Sequence, residues 1–241
     1  MSMADSGRRG GQIEMVGLSR RFGDVAAVDG VDLTVRAGEY FCLLGPSGCG
    51  KTTALRLISG LDEPSSGHVR LDGEDLADMP AHRRPVSAVF GGYALFPFLD
   101  VAANVAFGLR HARGVTMPGR AETSARVRSA LAVVQMSEYA RRRPPQLSAE
   151  QQQRVVLARA LVLRPRVLLL DDPLGSQDER LRRALRDELK ALQRQVGVTV
   201  LHATVDREEA LALSDRLAVM RGGRILQVGT AGELHQEPTA A

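Results

Sequence analysis

Residues 45–52 read Gly45, Pro46, Ser47, Gly48, Cys49, Gly50, Lys51, Thr52, a full match to the pattern G-x-x-x-x-G-K-[ST]. Glycines at this density let successive backbone N–H groups curl around an anion. The chemistry such a loop supports is the cradling of nucleotide phosphates. Lys51 is placed to reach the β- and γ-phosphates, and the Thr52 hydroxyl to ligate Mg²⁺. Thr53 completes the nucleotide-binding set.

A loop of this kind works only between a strand and a helix N-terminus. Residues 40–44 (YFCLL) form a short apolar run of strand character, and residues 53–61 carry Leu55, Leu57, Ile58 and Leu61 without a breaker before Gly60. Upstream, 13–16 and the alternating 31–35 suggest a β-rich segment, followed by strands at 69–71 and 86–90 and a turn at Asp72-Gly73. Residues 127–136 read as helix. Ser148 and Gln151 form an S-x-x-Q capping box that opens a helix to about Leu163, before Arg164-Pro165. The continuous apolar run 167–170 suits a parallel strand covered on both faces. Leu181, Leu185, Leu189, Leu192 and Val196 recur at helical spacing over 179–196. A strand at 198–201 follows, and 217–220 and 225–228 flank Gly222-Gly223 as a hairpin. Strands alternating with helices indicate an α/β domain with a largely parallel core sheet.

The bulk properties narrow the function classes. With 241 residues, of which 44% are hydrophobic, the chain holds one large domain or one domain with a subdomain. Trp is absent and aromatics make up 4%, so no stacking platform for single-stranded nucleic acid is expected, and a net charge of +4 is too small to argue for DNA. No nucleic-acid partner is therefore expected. Arg141–143 reads as a solvated loop. The two cysteines, Cys42 and Cys49, fit a reducing compartment, and Cys49 reads as a small space-filling residue of the loop. No apolar stretch approaches the length of a membrane span, and residues 1–12 read as a disordered tail lacking the apolar core of a signal peptide.

The motifs together resemble the ATP-binding subunits of ATP-binding-cassette (ABC) transporters, nearest to the importers of polyamines, ferric iron, sulfate and maltose. The resemblance covers about residues 13–238 and rests on GEYFCLLGPSGCGKTTALRLISGL, YALFPFLDVAANVAFGLR, QRVVLARAL, PRVLLLDDPLG and EEALALSDRLAVMRGGRILQVGT. It implies a P-loop NTPase fold of ABC type: a parallel core sheet, an antiparallel β subdomain and a helical insertion at about 93–163, within one ATP-binding domain over 13–241. The related importers often add a C-terminal regulatory domain, and none is expected here. The resemblance further implies ATP and Mg²⁺ as cofactors, a second ATP-binding subunit and membrane-spanning transporter subunits as partners, and a cytoplasmic, peripheral place on the inner face of the cell membrane. It makes Asp171 the Mg²⁺-associated aspartate. It makes Phe22 a candidate for stacking on adenine, a position that an ordinary core residue could also fill. Residues 93–110 become a docking region for the membrane subunits.

The chain departs from that family pattern at functional positions. Gly91 replaces the glutamine that senses Mg²⁺ and the attacking water. The signature Leu-Ser-Gly-Gly-Gln becomes Leu147, Ser148, Ala149, Glu150, Gln151. Ser148 and Gln151 keep the helix cap, while Ala149 adds bulk and Glu150 adds negative charge where a phosphate is expected. Asp172 replaces the catalytic glutamate with a carboxylate one methylene shorter. Val205 replaces the switch histidine, and His202, at an odd strand offset, points to the opposite face. Gly175, Ser176, Gln177 and Asp178 make the usual apolar contact across the dimer polar. The expectation is a chain that binds Mg-ATP and turns it over slowly. The alternative from another class is a non-transporting ATP-binding regulatory or assembly protein.

Overall fold

The computed structural model describes residues 10–91, 95–111, 118–174 and 179–236. The chain divides into two units, the first made of Met1–Ala88 and Arg166–Ala241, the second of Val89–Pro165.

The first unit carries both sheets. β1 (Ile13–Phe22), β2 (Val25–Val35), β4 (Ser66–Leu71) and β5 (Glu74–Asp75) form an antiparallel sheet in the order β2-β1-β4-β5. The six-stranded sheet runs β10-β9-β3-β8-β7-β6, with β3 (Tyr40–Leu44), β6 (Val86–Val89), β7 (Val167–Asp171), β8 (Thr199–Thr204), β9 (Arg216–Arg221) and β10 (Arg224–Gly229). β7, β8, β3 and β9 pair in parallel, and β10 returns antiparallel on β9. The parallel strands β3, β7 and β8 are buried almost throughout, as expected of strands covered on both faces. Leu43, Leu169, Leu201 and Ala203 are at most 1% exposed. Helices α1 (Lys51–Ser59), α5 (Glu179–Val196), α6 (Arg207–Leu213) and α7 (Ala231–Gln236) belong to this unit.

Turn chemistry sets the hairpins. Gly222 and Gly223 have φ of 55° and 81°, and Asp72 and Gly73 have φ of 53° and 85°, the paired left-handed conformation that a two-residue hairpin requires. β1 and β2 run well beyond the 13–16 and 31–35 segments expected from the sequence. Their additional lengths interrupt the alternation with bulges between Met15 and Leu18 and between Leu18 and Arg20. Residues 10–12, assigned to the tail from the sequence, pack on this unit: Gly10 and Gly11 are buried, and the Gly11 carbonyl accepts the Thr199 hydroxyl at 2.7 Å.

The second unit is helical: α2 (Val101–His111), α3 (Arg120–Val133) and α4 (Ala149–Leu161). α3 begins earlier than the expected 127 because its first turns are Arg, Ala and Glu, good helix formers that show no apolar period. It ends before 136 because Gln135 takes a φ of 58°. α4 begins and ends within two residues of expectation, with Arg164 (φ 55°) and Pro165 beyond it.

Candidate functional site

β3 delivers the chain into the 45–52 loop, and the loop is wedged on several sides. The Gly45 N–H donates to the Thr204 carbonyl at 3.3 Å, and the Cys49 carbonyl accepts from Gly223 N–H at 3.0 Å. A Cβ at Gly45 would lie 2.2 Å from the Met220 carbonyl oxygen. Gly50 has φ 108°, and a Cβ there would lie 2.1 Å from the Ala27 carbonyl oxygen. Neither position admits a side chain, so the loop is held in shape by β2, β9 and the β9–β10 turn. Cys49 is 5% exposed, which suits the space-filling role.

The N-terminus of α1 is left open. Gly50 offers no side chain to cap it, and no acidic residue stands in its first turn. Its free N–H groups and the positive end of the helix dipole make an anion site. Lys51 lies over the loop, its ammonium donating to the Gly45 carbonyl at 2.7 Å and the Pro46 carbonyl at 2.9 Å. The Thr52 hydroxyl donates to Asp171 Oδ2 at 2.8 Å. A hydroxyl and a carboxylate converging from α1 and the end of β7 are the hard oxygen donors that suit Mg²⁺. Among the described residues no cluster of three His, Cys, Asp or Glu could hold a metal by itself. The remaining ligands of a Mg²⁺ would be phosphate oxygens and water.

Asp172 follows in the left-handed region, φ 46°, with its N–H donating to the Ala203 carbonyl at 2.8 Å. Asp is among the few residues that enter this region readily. Partial burial raises its carboxyl above the ordinary aspartate value, the charge of Glu209 adds to the rise, and His202 and Lys51 oppose it.

Val205 is 52% exposed and presents two methyl groups where the family pattern has imidazole. His202 is fully buried, within a strand buried along its whole length. Its Nδ1 lies 3.0 Å from the Tyr40 hydroxyl, and its Nε2 lies 3.0 Å from Glu209 Oε1, off the line of a straight hydrogen bond. Burial, with the charges of Cys42 and Glu209, raises Tyr40 far above its usual value, so it remains a neutral phenol. Glu209 Oε2 accepts the Thr204 hydroxyl at 3.0 Å, and Thr204 Oγ1 accepts the Asp206 N–H at 3.0 Å. Asp206 caps α6 by accepting from Glu209 N–H and pairs with Arg182 at 3.0 Å. This chain fixes the backbone on both sides of Val205. Sequence reading did not find it, because its members come from β3, α5, β8 and α6; the only local signal is a histidine inside an apolar strand.

Phe22 is 49% exposed and is no core residue. In the second unit, Gly91 is exposed and bears no side chain. Ser148 and Gln151 form the expected reciprocal cap, with Ser148 Oγ accepting from Gln151 N–H at 3.2 Å and Gln151 Oε1 accepting from Ser148 N–H at 3.0 Å. Ala149 starts α4, and Glu150 pairs with Arg154 one turn on at 2.8 Å. That i,i+4 spacing was visible in the sequence, and it offsets part of the charge that Glu150 introduces. The 96–100 loop is pinned by the buried Asn104, whose amide donates to the carbonyls of Phe96, Leu99 and Asp100. Pinned in this way, the loop holds Phe98 70% exposed. Thus Gly45–Thr53, Asp171, Asp172 and Val205 belong to the first unit, while Gly91 and 148–151 belong to the second. Residues 175–178 and residues 92–94, which include the start of the expected docking region, lie outside the described residues.

The comparisons with known proteins agree with this geometry. The ABC transporter family model matches residues 28–175. The spermidine/putrescine import ATP-binding protein PotA of Rubrobacter xylanophilus is 52% identical over 94% of this chain and 59% of its own length. The protein of that name from Salmonella typhimurium is 50% identical over 92% of this chain and 58% of its own. The chain therefore spans somewhat under two thirds of the curated relatives it matches. Among solved structures, the dimeric ATP-binding cassette MJ0796 bound to ADP and phosphate superposes with a TM-score of 0.76 at 28% identity, over 91% of this chain and 98% of that one. A nucleotide-free ATP-binding cassette superposes with a TM-score of 0.84 at 22% identity, over 95% and 96%. No helix among the described residues is long and apolar enough to cross a membrane. With its phosphate loop, sheet order and family match in agreement, this chain belongs to the ABC transporter family.

Proposed function

We propose that the chain is the ATP-binding subunit of an ABC importer, that it takes Mg-ATP through residues 45–53, and that it hydrolyses the nucleotide very slowly. The observation that carries this reading is the contrast at the end of β7. Thr52 and Asp171 converge at 2.8 Å beside an open helix N-terminus, while the neighbouring positions hold Asp172, one methylene shorter than the family's glutamate, and Val205, which has no polar side chain.

ATP supplies the polyanion for the loop, and Mg²⁺ would be held by Thr52 and Asp171 and would spread the phosphate charge. Lys51, already desolvated, exchanges its bonds to the loop carbonyls for bonds to phosphate. Phosphoryl transfer to water further needs a positioned water and stabilisation of charge in the transition state. Gly91 and Val205 provide no polar side chain for this. Asp172 is a short carboxylate whose raised value makes it a readier proton carrier, but a misplacement of about 1 Å costs on the order of 10²-fold in rate. In the second unit, Ala149 and Glu150 put bulk and charge where a partner's γ-phosphate would dock.

The relatives named above are import proteins, and we extend import, though no particular cargo, to this chain. Its partners are then membrane-spanning subunits, received by the Phe96–Phe98 surface in the second unit, and a second ATP-binding subunit. It works at the inner face of the cell membrane without entering it. The test measures Mg-ATP affinity and turnover on one purified sample, with Lys51→Ala beside it. Tight binding with turnover far below that of a PotA preparation is expected. Lys51→Ala should lose about 100-fold in affinity, the scale of one or two hydrogen bonds from a charged group. Turnover equal to the PotA preparation overturns the slow-hydrolysis reading, and no Mg-ATP binding overturns the whole.

A further inference from the structure

We infer that Arg20 sets the strength and orientation of a base-stacking platform at Phe22, a positioning role that rests on the nucleotide reading above. Arg20 and Phe22 are two residues apart on β1 and so share a face of the strand. The Arg20 guanidinium carbon stands 4.7 Å from the centroid of the Phe22 ring. Arg20 Nε is buried with no hydrogen-bond partner among the described residues. The guanidinium thus forgoes a hydrogen bond at that nitrogen and lies over the ring instead. Behind it stands Asp62, whose carboxyl is held low first by its hydrogen bond to Arg56 and, among smaller causes, by the charge of Arg20. Arg20 covers one face of the Phe22 ring, and the residue as a whole is still 49% exposed, which leaves the other face as the place for a ligand.

The position of the ring gives that face a ligand. Phe22 pairs with Val25, which is 67% exposed. Two residues on, the Ala27 carbonyl lies against Gly50 of the phosphate loop and against Gly223, whose N–H binds the Cys49 carbonyl. At about 3.3 Å per strand residue, the Phe22–Val25 hairpin end is the apolar rim of the loop. A molecule with its phosphates on the loop and a flat base beyond its sugar would lay that base on the free face. The guanidinium draws π-electron density to its own side, which leaves the opposite face better suited to an electron-rich purine. It also fixes the ring in advance, which lowers the ordering cost of binding.

The experiment compares Mg-ATP with Mg-tripolyphosphate, which has no base, on the full chain and its Arg20→Met, Arg20→Lys, Phe22→Ala and Arg20→Met/Phe22→Ala variants. Arg20→Met should weaken Mg-ATP about 2- to 5-fold, the size of one cation–π contact. Mg-tripolyphosphate should be unaffected, Arg20→Lys should recover most of the loss, and the effect should vanish in the Phe22→Ala background. Equal loss for both ligands, loss that persists without Phe22, or no loss for Mg-ATP overturns the inference and leaves the nucleotide reading standing. Should the unmodified chain bind neither ligand, both fall. Melting curves identify a variant that has merely lost its fold, and the Arg20→Lys recovery then decides on a folded protein.

Discussion

The N-termini of α1 and α4 present the same physics with opposite finishes. Every helix start carries unpaired N–H groups and a partial positive charge. In α1 those groups are left open: Gly50 has no side chain, no acid stands in the first turn, and Lys51 adds positive charge above. In α4 they are closed: Ser148 and Gln151 satisfy each other's backbone, and Glu150 places a carboxylate in the first turn with Arg154 behind it. One end of a helix awaits an external anion, and the other already has its own. A helix cap can therefore persist while the residues beside it change: Ser148 and Gln151 close the α4 start with Ala149 and Glu150 between them.

The strongest way to break that contrast is to reopen the closed end and refit the cleavage positions together. The variant Gly91→Gln, Ala149→Gly, Glu150→Gly, Asp172→Glu, Val205→His should raise turnover by about 10²–10⁴-fold, the range a well-placed general base supplies. Its Mg-ATP affinity should change by less than about 3-fold, because the α1 end is untouched. Unchanged turnover would mean that these side chains are not what limits the chemistry.

The contrast was only partly legible in the sequence. The phosphate loop and the capping box were readable because each is local: contiguous glycines and a lysine, or a serine and glutamine three apart. The apolar β7 run and the Gly222-Gly223 hairpin were readable for the same reason. What escaped was assembled from distant segments or hidden in backbone angles. Tyr40, His202, Glu209 and Thr204 meet only because β3, β8 and α6 pack together. The left-handed Asp172 could not be foreseen from its letter, although aspartate tolerates that conformation. Phe22 was equally readable as an adenine-stacking ring or an ordinary core residue until its exposure was known. The far half of β1 escaped because Ser19, Arg20 and Arg21 lack a clean alternation and the strand bulges there.

A smaller effect sharpens the comparison at the closed end. Ser148→Ala removes one half of the reciprocal cap and should cost about 1 kcal/mol of stability, read as a lower midpoint in thermal or denaturant unfolding. Ser47→Ala, in the exposed part of the open loop, should leave stability within about 0.5 kcal/mol. Equal losses at the two serines would mean that the α1 end is also held by its own side chains.

The smallest effect concerns Asp172, where the open site meets the buried network. Asp172→Asn keeps the shape and suits the left-handed backbone equally well, so it removes only the charge. In the folded chain the carboxyl sits above the ordinary aspartate value, chiefly from partial burial and then from Glu209. The fold therefore disfavours the ionised form. That penalty is fully present above the folded value, fades as pH falls through it, and is gone below the ordinary value. The unmodified chain regains this increment of stability across that acidic window, whereas the asparagine variant has no such term. The melting temperature of Asp172→Asn should thus exceed that of the parent at pH 7, with the difference closing as pH falls through the window. Exposure of the side chain keeps the shift small through solvent screening. Adding Glu209→Gln to both proteins should shrink the pH 7 difference, because it removes the second cause of the rise. A difference that persists unchanged at the acidic end would trace to altered hydrogen bonding and not to charge, and the electrostatic link between Asp172 and the buried Glu209 would be lost.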